Sequence, residues 1–170
     1  TCIADIPEND VPTDVRTLVL ELKDAIKQGN RQESSSINRK MKDLGFNWEK
    51  RSDTIYRQFR VRVRGIDSPE TDQAFGVVAG NYTRALCEGK QVVLRIFTTD
   101  QYGRTVADVI TDEGKLLQHE LLRAGMVWHY AKHDSRPEFR ELEAEARAAQ
   151  RGLWSESNPM PPWDYRRQKR

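Results

Sequence analysis

Apolar residues recur at helical spacing near the start of the chain. Val15, Leu18, Val19, Leu22 and Ile26 share one face of a segment that Thr13 can cap and Gly29-Asn30 ends. Ile37, Met41 and Leu44 form a second such face, which stops at Gly45. Residues 12–45 therefore predict a helical hairpin inserted into another fold, with a scaffolding role. From residue 46 the period drops to two. Residues 46–50, 56–66, 92–97 and 105–110 read as strands, the last two joined across Asp100-Gln101-Tyr102-Gly103. Residues 1–6 alternate weakly, as the remnant of another strand, and 126–130 can add a short last one. Residues 75–88 and 115–124 read as helices, the second closed by Gly125. Ser135 caps a final helix, with Pro137 in its first turn and Phe139, Leu142, Ala146 and Ala149 along its apolar side.

Short strands interspersed with helices predict an α+β fold. Its centre is a small five-stranded OB-like β-barrel, partly open, with packed helices and the helical hairpin inserted near the N-terminus. A length of 170 residues suits a single domain across 1–170. No apolar run approaches the roughly 20 residues of a membrane span, and no internal repeat is visible. The net charge of +2 hides an asymmetry. Asp5, Glu8, Asp10 and Asp14 open the chain without a cation, whereas Arg166, Arg167, Lys169 and Arg170 face only Asp164 at the end. Residues 161–170 read as a basic tail, a solvated terminus rather than a phosphate contact. Cys2 and Cys87 lack the CxxC spacing of a zinc or redox pair and read as thiols. His119, His129 and His133 show no metal-ligand spacing on a common helix face; His119 reads as a helix surface residue and His129 as a neighbour of the site below. The sequon Asn81-Tyr82-Thr83 falls inside an expected helix, where coincidence explains it. Trp154 and Trp163 read as packing residues.

The chemistry concentrates in residues 59–71. Strand alternation puts Phe59, Val61 and Val63 on one face and Arg60, Arg62 and Arg64 on the other. Three guanidiniums side by side need solvent or an anion to balance them. Asp67-Ser68-Pro69-Glu70 follows, and Pro69 restrains the turn, so the two carboxylates are held in place. Carboxylate and carbonyl oxygens suit a hard cation such as calcium. A carboxylate beside such an ion can act as a base toward water, and the forked arginines match phosphodiester oxygens. Metal, base and guanidinium are together the minimum for in-line attack of water on a phosphate. Asp100-Gln101-Tyr102-Gly103-Arg104 is a β-turn that returns Arg104 to the sheet. Alone it is weak evidence, since most such pentapeptides are ordinary hairpin tips.

Together the two segments resemble the hallmarks of the staphylococcal nuclease family, Arg-x-x-x-x-Ile-Asp-Ser/Thr-Pro-Glu and Asp-x-Tyr-Gly-Arg. The likeness continues through Leu121 to Trp128, Glu143 to Arg147, Gly152-Leu153-Trp154 and Asn158-Pro159, covering about residues 56–160. Trp128-His129-Tyr130, the inserted hairpin and Pro162-Trp163 look most like the plant calcium-dependent nucleases of that family.

The resemblance implies a calcium-dependent endo- and exonuclease that hydrolyses DNA and RNA, single-stranded or denatured, with little base preference and 3′-phosphate products. It casts Arg62 and Arg104 as the phosphate-binding catalytic arginines and Glu70 as general base. Asp67 and the Ser68 carbonyl become calcium ligands, and Tyr102 a neighbour of the nucleotide; Tyr130 is a looser candidate for stacking on a base. A monomer is expected. Gln101 stands where some relatives carry Lys, which removes one phosphate contact. The family's Asp-Gly-Asp-Thr segment is absent from the sequence. Thr1-Cys2-Ile3-Ala4 resembles its Thr and the strand after it, so a further Asp ligand is expected directly upstream of Thr1 in a longer parent. Without that ligand the 170-residue chain is expected to be a poor enzyme. The alternative is a nuclease-fold module that binds nucleic acid or protein with little or no catalysis.

Overall fold

The structure is a computed structural model, which describes residues 2–5, 10–50 and 53–169; Thr1, the expected landmark for the upstream ligand, lies outside them. The chain divides into two compact units, Thr1–Val61 and Arg62–Arg170.

In the first unit the helical hairpin forms where its apolar spacing places it. Helices α1 (Thr13–Lys27) and α2 (Arg31–Asp43) bury Val15, Val19, Leu22, Ala25, Ile37 and Met41 against Val11 and Phe46. Thr13 lies inside α1, and Pro12 takes its cap position, where no side chain bonds to the helix. Asn30 caps α2 instead. It accepts the Glu33 amide at 3.2 Å and donates to the Glu33 carboxylate at 2.7 Å, satisfying two polar groups at once. Leu44 stays exposed beyond the end of α2. Strands β1 (Cys2–Asp5), β2 (Phe46–Glu49) and β3 (Thr54–Phe59) make an antiparallel sheet in the order β1-β3-β2.

The single strand expected over 56–66 is broken into β3, β4 (Val61–Val63) and β5 (Ile66–Asp67). One break falls at Gly65, whose φ of +76° only glycine adopts without strain. A methyl group there would also lie 2.6 Å from a carboxylate oxygen of Asp134. In the second unit β4 joins β6 (Val93–Thr99) and β7 (Thr105–Ile110) in the order β4-β7-β6, while β5 pairs with β8 (Trp128–His129). The strands of the described residues thus form three separate sheets, none of them closed. Mixed helices and strands are present as expected. Helices α3 (Gly76–Cys87), α4 (Leu117–Arg123) and α5 (Pro137–Ala148) complete this unit with α6 (Pro162–Gln168). Arg136, not Ser135, stands at the cap of α5. Among the described residues no helix is long and apolar enough to cross a membrane.

The core of the second unit contains charge. Asp108 on β7 and Asp134 before α5 are 2% and 4% exposed. Two buried carboxylates are costly unless cations meet them. Arg136 meets both: its Nη atoms reach the two oxygens of Asp108 at 3.0 and 3.1 Å, and its Nε and Nη2 reach Asp134 at 2.9 and 2.6 Å. Gln118, fully buried on α4, adds a bond to Asp108 at 2.8 Å. His119, expected on the surface, turns an edge toward Phe139 at 5.5 Å, and burial lowers its pKa.

Desolvation pushes Asp134 up, but the hydrogen bonds from Arg136 outweigh it and hold its pKa below the ordinary 3.8. Its contribution to stability is therefore complete above that unfolded value and is lost as pH falls through the lower folded one. Replacing Arg136 with Met strands two buried carboxylates and is expected to cost about 3 kcal/mol or more. Urea melts at neutral pH check this; a variant as stable as the wild type would show that the network carries little.

Candidate active site

The Asp67-Ser68-Pro69-Glu70 turn is held at both ends. Asp67 sits in β5, paired with Trp128, and Ile66 pairs with His129. The Tyr130 amide donates to the Gly65 carbonyl at 2.9 Å, so β8 follows the chain into the bend. Beyond the turn, Gln73 accepts the Glu70 amide at 3.1 Å and returns its own amide to the Glu70 carbonyl at 2.9 Å. Helix α3 starts against that carbonyl. A side chain at Gly76 would run into it, and Phe75 just before adopts a left-handed φ of +62°, a strained choice for an aromatic residue.

Asp67 is buried and Glu70 half-buried. Arg62, projecting from β4, donates to Asp67 Oδ1 at 3.2 Å. A further arginine occupies the space between the carboxylates. Arg166 Nη2 meets Asp67 Oδ2 and its Nη1 meets Glu70 Oε1, each at 2.6 Å. Burial works against the charge of Arg166, but its bonds to Asp67 and Glu70 outweigh this and raise its pKa above the ordinary arginine value. Within the basic tail Arg167 and Lys169 are exposed, whereas Arg166 is half-buried. The tail contains the helix α6, with Arg166 turned onto the two residues that the sequence singles out most strongly.

One guanidinium bridges the two carboxylates, with a different terminal nitrogen on each. Oxygen donors of this kind fit a hard cation such as calcium. Asp67 and Glu70 are a pair: among the described residues no group of three or more His, Cys, Asp or Glu side chains could hold a metal. Ser68 is exposed next to them.

Arg104 and Tyr102 form a second group. Asp100 accepts the backbone amides of Tyr102 and Arg104, each at 2.9 Å, and the Arg104 Nε at 2.7 Å. Desolvation works against Asp100, yet these donors outweigh it and hold its pKa below the ordinary value. Tyr102 is largely exposed, with the Arg104 guanidinium 5.4 Å from its ring centre. Arg104 immediately precedes β7, the neighbour of the β4 strand that carries Arg62, but its own ion pair stays within the hairpin. Tyr130 stacks on Trp163 at 5.2 Å, which covers one face of its ring. Trp163 also meets Trp128 at 5.7 Å, the packing role expected of it. His129 is buried beside the site, with Nε2 2.8 Å from the Asp134 carbonyl oxygen.

Arg166, Gln73 and the Asp108–Asp134–Arg136 network escaped the sequence reading. A signal for α6 existed: Pro162 in a first turn, with Trp163 and Arg166 three residues apart on one helical face.

The sequence belongs to a known class. Residues 60–156 match the staphylococcal nuclease homologue family, and the chain is a member of it. It is 36% identical over 163 residues, 95% of its length, to a probable staphylococcal-like nuclease, CAN3, of Oryza sativa subsp. japonica. It is 33% identical over 164 residues to the staphylococcal-like nuclease CAN1 of Arabidopsis thaliana. The chain covers 43% and 50% of those two proteins, so it spans half of their length or less. An uncharacterized endonuclease of Escherichia coli is 36% identical over 110 residues, 65% of this chain and 72% of that protein.

The close approach of α3 to the Glu70 carbonyl yields a prediction. Gly76→Ala is expected to cost about 1–3 kcal/mol through overpacking and to shift the amide resonances of Glu70 and Gln73. Urea melts and amide NMR spectra read both effects.

Proposed function

We propose that this chain is a calcium-dependent phosphodiesterase that hydrolyses single-stranded or denatured DNA and RNA, leaving 3′-phosphates. The observation that carries the proposal is the gathering of Asp67 and Glu70 with arginines in one cluster, Arg62 bonded to Asp67 and Arg166 bridging both carboxylates. The names of the relatives support the reaction class. A monomeric state is part of the same proposal. We read the β4-β7-β6 sheet as the wall of a partly open barrel of the oligonucleotide-binding type.

In this reading Asp67 and the Ser68 carbonyl hold calcium, which when bound polarises a phosphoryl oxygen. Arg62 and Arg104 bind the phosphate oxygens, and their charge offsets the negative charge that builds up as water attacks. Both guanidiniums are charged at any working pH, so they need no proton to act. Glu70 takes the proton of the attacking water through a carboxylate oxygen. Tyr102, exposed at the hairpin tip, lies beside the nucleotide; Tyr130 offers a base only the ring face that Trp163 leaves uncovered. The engagement of both carboxylates by Arg166 favours a second reading, a weakly catalytic binding module.

Cleavage of end-labelled single-stranded DNA, with calcium or with chelator, separates these readings. Glu70→Ala is expected to lower the calcium-dependent rate by about 10²-fold or more, and Arg62→Ala by a similar factor. Equal rates for wild type and Glu70→Ala would reject Glu70 as the base. Strand binding without any calcium-dependent cleavage would support the module.

A further inference from the structure

We infer that Arg166 is a positioning residue for the base: its guanidinium fixes the Glu70 carboxylate by Oε1 and leaves Oε2 to meet the attacking water. The inference rests on the nuclease reading, in which Glu70 takes the proton of that water. Arg166 lies outside residues 60–156, the stretch that matches the family.

A base at this position needs support. The backbone of Glu70 is held by Gln73, but its side chain is 40% exposed, and a glutamate that meets only water spreads over several rotamers. Arg166 Nη1 reaches Oε1 at 2.6 Å, and among the described residues Oε2 has no hydrogen bond. The other terminal nitrogen, Nη2, meets Asp67 Oδ2 at 2.6 Å. Asp67 is buried in a paired strand and serves as a fixed reference. The planar fork of Arg166 therefore sets the carboxylate of Glu70 relative to that of Asp67, which a point charge could not do. Holding one oxygen does not spend the base, because the second keeps its lone pairs for a proton. A base oriented by a third group is the general arrangement for proton transfer from a nucleophile.

An ion pair this exposed is weak by itself, so the clamp depends on how α6 is held. With seven residues α6 is too short to stand alone in water. It is attached on two sides. The Tyr165 hydroxyl donates to the Asp72 carbonyl at 3.0 Å, and Lys169 pairs with the Asp72 carboxylate. Gln73 donates to the Met160 carbonyl at 2.6 Å, just before the helix. These bonds fall on the residues that follow Glu70. On the other side Trp163 stacks on Tyr130 and meets Trp128, the residue that pairs with Asp67. One helix is thus tied to the chain beside each carboxylate, and Arg166 keeps its place relative to both.

Steady-state cleavage of end-labelled single-stranded DNA with calcium, read as kcat and KM, tests this. Arg166→Ala is expected to lower kcat about tenfold or more, as a misplaced base does, and to leave KM within about twofold. Arg166→Lys keeps the charge but loses the fork, so its kcat should stay near that of Arg166→Ala. Tyr165→Phe keeps Arg166 and loosens α6 from Asp72, and its kcat should fall by a smaller factor, about twofold. The carboxyl-carbon NMR signal of Glu70, followed without substrate, should shift in Arg166→Ala. An unchanged kcat in Arg166→Ala overturns the inference. A higher kcat does so too, since the guanidinium would then cover the base rather than aim it. A raised KM at constant kcat, the mark of a phosphate contact, or full recovery in Arg166→Lys, the mark of charge alone, overturns it as well. In each of these cases cleavage by the wild type leaves the nuclease reading standing. A wild type without calcium-dependent cleavage removes both.

Discussion

Two carboxylates buried in the second unit, Asp108 and Asp134, share the guanidinium of Arg136, and the position of the site follows from that arrangement. Neither acid could stay ionised there alone. Burial also opposes the charge of Arg136, but its bonds to both acids outweigh this and raise its pKa. The three groups are stable only together. They also tie separate elements to one point: Asp108 belongs to β7, Gln118 to α4, and Arg136 to the cap of α5. Asp134 in turn lies against Gly65, at the bend where β4 gives way to β5. A glycine is needed at this bend for its backbone angle and for the space that Asp134 occupies. The charged core thus determines where Ile66 and Asp67 leave the sheet.

Past that bend, the site repeats the same physics nearer to solvent. Asp67 lies between Arg62 and Arg166, and Glu70 shares Arg166 with it. In the core the pairing is locked, because Asp134 and Asp108 have no water to turn to. At the site, Arg166 and Glu70 are each about 40% exposed, so water competes for their bonds and screening weakens them. A pairing of this kind can exchange partners. Asp67 is as dry as the two core carboxylates, at 3% exposed, so the contrast with the core lies in Glu70 and Arg166 alone.

How far the sequence could be read follows from the range of the interactions. The hairpin of α1 and α2 was legible because Val15, Val19, Leu22, Ile37 and Met41 repeat at the helix period, and their packing is local. The Asp100 turn was legible for the same reason, since its carboxylate binds residues two and four positions on. Asp67 and Glu70 are close in sequence and restrained by Pro69, so their convergence could be expected. Arg166 could not be placed, because its partners lie 99 and 96 residues away, and a run of terminal cations looks the same whether docked or free. The long strand over 56–66 failed differently. Its alternation was sound, but the left-handed backbone of Gly65 and the carboxylate beside it break the strand, and Asp134 is far off in sequence. Single residues at caps misled in a smaller way: Thr13 and Ser135 have suitable side chains, yet the cap positions fall one residue away from each, at Pro12 and Arg136.

The arginines resolve what the sequence left ambiguous. Arg60, Arg62 and Arg64 alternate along one stretch, which invites a common role, but the structure gives them different surroundings. Arg60 is exposed at the break between β3 and β4. Arg62 reaches Asp67. Arg64 lies over the ring of Phe97 at 4.1 Å, with its Nε 3.6 Å from Asp134. A single strand face thus divides into solvent, site and scaffold within five residues. The positive charge each arginine presents to its surroundings is then set by the carboxylates it meets. Arg62, Arg104 and Arg166 each hold at least one carboxylate.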